Sequence, residues 1–145
     1  MGEDRDIPLA RKSWRRFPES GSAYFQFMLG YMYDTGEGVP QDQDRAIRRY
    51  RKAAEHGLGA AQAKLGSMYQ LGRGVNACRV AAYAWFDIAT KNGFAPAKGL
   101  RDALAEKTTS ERIFEAQELS RELRAKNPSL IREHQRDRSV PGMRL

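Results

Sequence analysis

The chain has 145 residues, enough for one domain with a sizeable core, and its 41% hydrophobic and 30% charged residues are an ordinary soluble balance. No apolar run approaches the ~20 residues that span a bilayer, and the opening MGEDRDIPLARKSWRRFPES is punctuated by charge with no apolar signal region, so a cytoplasmic protein is expected, or a periplasmic or secreted one if a signal peptide has been removed. The net charge of +7 is spread along the chain, with its largest share at residues 59–94, where Lys64, Arg73, Arg79 and Lys91 are set against Asp87 alone; it fits acidic partners without selecting nucleic acid.

Residues 1–22 form an N-terminal segment whose Ile7, Leu9, Trp14 and Phe17 are available to cover a neighbouring apolar face. From residue 23 the chain repeats itself. LGYMYDTGEGV at 29–39 returns as LGSMYQLGRGV at 65–75, and the same offset of 36 residues links Ala46 to Ala82, Tyr50 to Phe86, Ala53 to Ala89, Gly57 to Gly93 and Ala61 to Ala97. Within a unit, Phe25, Leu29, Met32 and Tyr33 fall at i, i+4, i+7 and i+8, one face of a helix. The pair Gly36 and Gly38, matched by Gly72 and Gly74, then breaks that helix. Asp42 is a good N-cap for a second helix reaching about residues 52–56, and Gly57 follows where a left-handed cap is expected. The position matching Asp42 is Cys78, a poor cap, which points to Asn76 as the cap instead. Gly30 and Gly66 sit mid-helix at a cost of about 1 kcal/mol against alanine, tolerable where helices must approach closely. One such hairpin cannot bury its apolar face alone, so hairpins must stack.

A third unit starts near residue 95. It has Arg101 where the earlier units have Leu29 and Leu65, and no Gly-x-Gly turn follows, as suits a polar terminal cap. Thr108 and Glu111 read as a capping box for a last helix whose inner face is Ile113, Ala116, Leu119 and Leu123, ended by Asn127-Pro128. Residues 127–145 form a basic polar tail, expected to be mobile beyond at most a short helical turn.

The segments LGYMYDTGEGVPQDQDRAIRRYRKAAEHG and LGSMYQLGRGVNACRVAAYAWFDIATKNG resemble the Sel1-like repeat, a relative of the tetratricopeptide repeat with a longer glycine turn, and APAKGLRDALAEKTTSERIFEAQELSREL looks like the closing helices of bacterial members. The predicted fold is therefore all-α: a short right-handed α-solenoid of stacked antiparallel hairpins over residues 23–126, with two full repeats and a C-terminal capping pair. Leu29, Gly30, Tyr33, Gly36, Gly38, Ala53 and Gly57 carry the first repeat; Leu65, Gly66, Tyr69, Gly72, Gly74, Ala89 and Gly93 carry the second.

Chemistry is not evident. The Gly-x-Gly pairs lack the Lys-Ser/Thr and the preceding strand of a phosphate loop. His56, His134 and Cys78 are scattered without metal-ligand spacing. The lone Cys78 excludes an intramolecular disulfide, and no serine has a lysine three residues on, as the β-lactamase activity described for some cysteine-rich relatives would require. No enzyme activity, cofactor or metal is expected.

What remains is surface. By analogy with tetratricopeptide folds, the first helix of each unit lines the concave face. This places Tyr24, Phe27, Tyr31 and Asp34 there from the first unit, Ala60, Ala63, Ser67 and Gln70 from the second, and Gly99, Ala103 and Glu106 from the third. The first helix is apolar almost all round, so either residues 1–22 cover it or it stands open as an aromatic site. The resemblance implies a protein-interaction scaffold, with Tyr24, Phe27, Tyr31, Asp34, Ser67 and Gln70 as its site, and a monomer or weak self-association. The alternative is a nucleic-acid-associated protein using the helix at 42–56, where Arg45, Arg48, Arg49, Arg51 and Lys52 crowd together. Aromatics for base stacking are not interleaved with them. A lesser alternative is an enzyme with an unrecognised site.

Overall fold

The structure is a computed structural model that describes residues 22–132. These residues form six α-helices and a short 3₁₀ turn, with no strand among them: α1 Ser22–Thr35, α2 Gln43–Glu55, α3 Gly59–Leu71, α4 Arg79–Lys91, α5 Ala95–Ala105, α6 Ser110–Lys126 and the turn Pro128–Leu130. The helices stack as an α-solenoid of hairpins, α1 with α2, α3 with α4, and α5 and α6 closing on α4. Residues 1–21, including the apolar side chains expected to cover α1, lie outside the described residues, as do residues 133–145.

Within each hairpin the approach is set by a glycine. A Cβ on Gly30 would lie 2.7 Å from the Tyr50 ring, and one on Gly66 would lie 2.6 Å from the Phe86 ring. Both rings are completely buried and have no room to retreat. The turns that join the helices repeat as closely. Gly36 and Gly38 have φ of +80°, and Gly72 and Gly74 have +72° and +78°, a region that residues with a Cβ rarely occupy. Each turn closes on one backbone bond, Asp42 N to Tyr33 O at 2.9 Å and Cys78 N to Tyr69 O at 2.8 Å.

That bond explains the first correction. Asp42 caps α2 as expected, its Oδ1 accepting from Arg45 N at 3.1 Å. The cap of α4 is Cys78, whose Sγ accepts from Ala81 N at 3.5 Å; Asn76 is exposed in the turn before it. The turn geometry fixes where the helix begins, and a weak sulfur acceptor fills a place that asparagine would fill better. The second correction is at α6. Its cap is Thr109, accepting from Arg112 N at 3.2 Å, and not Thr108. Thr108 Oγ1 instead donates back to Leu104 O at 2.6 Å, which binds it to the end of α5. Glu111 is thereby one residue too close to the cap for a capping box.

The core falls into clusters, the two larger ones meeting at the half-buried Tyr69: Leu29, Met32, Ile47, Tyr50, Leu65 and Met68 join with Trp85, Ile88 and Leu130, while Tyr83, Phe86 and Leu104 pack with Ala116 of α6. Leu130 belongs to the segment predicted as a tail. Residues 127–132 lie back across the hairpin ends: Ser129 Oγ donates to Glu55 O at 2.6 Å, and the fully buried Gln62 donates to Ala54 O at 3.1 Å and to Leu130 O at 2.7 Å. Asn92 completes this junction, donating to Gly57 O at 2.7 Å and to Gln62 Oε1 at 3.3 Å while accepting from Arg132 N at 3.0 Å.

Gly66→Ala is expected to destabilise the protein by about 2 kcal/mol in urea unfolding, overpacking outweighing the roughly 1 kcal/mol gained in helix propensity. Adding Phe86→Leu should make the double variant lose less than the two single losses combined. Full additivity would refute the contact as the origin of the effect.

Candidate partner-binding face

Helix α1 buries Phe25, Leu29, Met32 and Tyr33. Two of its tyrosines are left open: Tyr24 is 61% exposed and Tyr31 is 42% exposed. They stand seven residues apart, two helical turns on one face. Phe27 lies between them, half-buried, its ring centroid 5.5 Å from that of Tyr50. Tyr24, Phe27 and Tyr31 thus share one face of α1.

At the matching places on α3 stand Ala60, Ala63 and Ser67. Ala63 is buried against Ala89 and Ala97, and Ser67 and Gln70 are half-buried. Gly99 and Ala103 on α5 and its C-cap residue Glu106 are exposed. A depression of about 300 Å³ lies beside Tyr24, lined by Leu58, Gly59, Ala60, Asn92, Gly93, Phe94 and Arg132. The Arg132 guanidinium lies 6.0 Å from the centre of the Tyr24 ring, within cation–π range. Aromatic and aliphatic walls with one cation at the rim can take an apolar side chain and hold the backbone polar groups that accompany it.

Asp34 is placed differently from its neighbours on the stripe. It is buried and accepts from Tyr50 Oη at 3.1 Å, Gln43 Nε2 at 3.2 Å and Arg73 Nη2 at 3.2 Å. Burial and the Asp34 charge together push the Tyr50 hydroxyl well above its usual pKa, so it stays a donor. Asp34 therefore ties α1 to α2 and to the turn of the second repeat, and its carboxylate is committed to those partners.

The basic residues of α2 do not form one free surface. Arg45 pairs with Asp42 at 3.2 Å and lies 5.8 Å from the centre of the Tyr33 ring; Arg51 donates to Tyr69 Oη at 2.8 Å; Arg49 is half-buried. Arg48 and Lys52 are the exposed ones. Beyond α2, Arg73 is bound to Asp34 and Arg79 donates to Lys107 O at 2.6 Å. His56 is the C-cap residue of α2, its Nδ1 2.8 Å from Lys52 O.

Sequence reasoning missed a second polar centre. Asp87 is buried in α4, where its carboxylate meets Lys91 Nζ at 3.0 Å, Arg101 Nη1 at 2.9 Å and the buried Ser120 Oγ at 2.8 Å. Burial alone would raise its pKa. The hydrogen bonds from Ser120, Lys91 and Arg101 and the charge of Lys91 outweigh that and hold it below the usual carboxylate value of 3.8. The available signal was a lone acid in the apolar run AAYAWFDIA, with lysine four residues on.

Known proteins share the repeats. Residues 23–58 and 59–94 each match the model of the Sel1 repeat. The chain is similar to a protective antigen present in uropathogenic Escherichia coli strains that displays an SLR fold, with 31% identity and a TM-score of 0.76 over 99% of this chain and 30% of that one. It is also similar to a Sel1 repeat protein from Oxalobacter formigenes, with 29% identity and a TM-score of 0.61 over 70% of this chain and 42% of that one. The chain spans less than half the length of either. No curated protein sequence matches it.

Removing the Asp87 charge gives a prediction with a defined pH window. Its carboxyl is more acidic folded than unfolded, so its stabilisation is present above about pH 3.8 and is lost as pH falls through the lower folded value. Asp87→Asn should cost about 3 kcal/mol at neutral pH, the order seen when one member of a buried pair is removed. The gap between variant and parent in urea unfolding should narrow below about pH 4. A gap that stays constant down to pH 2 would mean that the charge is not what stabilises.

Proposed function

This chain is a member of the Sel1 repeat family, and we propose that it holds a protein partner, without catalysis, on the face formed by Tyr24, Phe27 and Tyr31 of α1 with Ser67 and Gln70 of α3. The observation that carries this reading is the pair of open tyrosines on a helix that buries Phe25, Leu29, Met32 and Tyr33, beside the depression at Ala60 and Phe94. Aromatic side chains are the usual anchors of protein interfaces, because each supplies a large rigid surface at little entropic cost. The small residues of α3 give an incoming segment room to lie along the face. Asp34 serves this site from behind, fixing α1 against α2 through Tyr50.

The test is affinity capture from nuclease-treated native lysate, comparing the parent chain with Tyr31→Ala and Tyr24→Ala by quantitative mass spectrometry. A partner bound at this face should fall roughly thirtyfold with Tyr31→Ala, the loss of an anchor worth about 2 kcal/mol, while the thermal midpoint is unchanged. Capture that ignores both tyrosines, or that vanishes with nuclease, would overturn the reading.

A further inference from the structure

We propose that the pocket between α4, α5 and α6 binds a small polyanion, a molecule carrying two or more phosphate or carboxylate groups. The pocket has a volume of about 340 Å³ and is bounded by Tyr83, Asp87, Lys91, Arg101, Arg121 and Arg124, with Gln117 at its edge. That volume is near the lower end of small-molecule sites, about 300–1,000 Å³, which suits a compact ligand and not a polymer.

The charge on its walls exceeds what the fold requires. One carboxylate, Asp87, faces four cations. Lys91 and Arg101 neutralise it directly. Arg101 also meets the half-exposed Asp102 at 3.1 Å, Arg121 is held only by an exposed pair, and Arg124 is surplus. Arg124 has no carboxylate partner among the described residues; its Nε donates to Ser120 Oγ at 3.3 Å, and Ser120 in turn donates to Asp87 at 2.8 Å. The buried carboxylate therefore orients three cations, two by contact and Arg124 through the hydroxyl. Arg121 meets Glu118 at 2.6 Å in a pair exposed on both sides, an arrangement of little net worth that a stronger anion can replace. Guanidinium groups match phosphate and carboxylate oxygens two at a time. The walls keep part of the field from being screened as it would be on an open surface.

The first repeat has no such cluster. Asp87 and Lys91 of the second repeat correspond to Arg51 and Glu55 of the first, and Arg51 is engaged with Tyr69. One hairpin stacks with these cations gathered and the other without. The site is separate from the tyrosine face, so either can fail alone.

Isothermal titration of the full chain with inorganic pyrophosphate and, separately, with citrate, at ionic strength held constant with sodium chloride, tests the proposal. Saturable one-site binding of at least one probe is expected, and the tighter one identifies phosphate or carboxylate as the preferred group. Arg124→Gln and Arg121→Gln should each weaken it about tenfold, one charge-assisted contact apiece, with the ligand-free thermal midpoint unchanged. Gln117→Glu adds a negative charge at the edge without touching the Asp87 network and should weaken binding by a similar factor. Absence of saturable binding for both probes at millimolar concentration overturns the proposal, and so does binding that is indifferent to Gln117→Glu and to whichever arginine variants fold.

Discussion

The two helices of a hairpin meet where a glycine on the first lies against an aromatic ring on the second, Gly30 on Tyr50 and Gly66 on Phe86. The missing Cβ sets the separation of the helix axes. Once it is set, the Gly-x-Gly turn closes in only one register, and the same backbone bond recurs from Asp42 to Tyr33 and from Cys78 to Tyr69. Everything outside that contact adapts to it, including the cap of α4, where backbone geometry places a cysteine at a position better suited to aspartate.

The polar parts of the two repeats differ, and they differ in matched sets. Where the first repeat has Tyr50 and Asp34, joined at 3.1 Å, the second has Phe86 and Gln70. The buried hydroxyl and the acid that accepts from it are absent together. This is what the energetics demand, since a buried donor stranded without its acceptor costs about 1–3 kcal/mol. The second repeat places its own buried acid elsewhere, at Asp87, and surrounds it with donors from three helices. An apolar frame that repeats, with polar groups exchanged in sets, leaves room for chemistry that belongs to one repeat alone.

This division also explains what could be read from the sequence. The 36-residue offset, the helices and their glycine stops follow from local periodicity, and the structure has them. The start of α6 did not follow, because Thr108 and Thr109 are adjacent and equally able to cap; the choice is made by the Thr108 bond to Leu104. Nor did the burial of Asp34, whose position on the stripe matches its neighbours while its partners come from α2 and from the turn after α3. Gln62 meets Leu130 across 68 positions of sequence, a separation at which no local pattern can signal contact.

Solenoid stability is usually a sum over neighbours, each layer touching only the next. Residues 127–132 depart from that rule. They follow the last helix yet bond to Glu55 and Gly57 at the end of the first hairpin and to Gln62 and Asn92 of the second. A link between the end of the stack and its beginning couples the layers, because opening α6 together with residues 127–132 also takes one hydrogen-bond partner each from the buried Gln62 and Asn92. The same segment carries Arg132 to the Tyr24 ring and so builds one wall of the depression on the tyrosine face. The proposed binding face therefore draws on the whole stack: Tyr24 comes from the first described helix, Gly59, Ala60 and Phe94 from the second repeat and Arg132 from the last described residue.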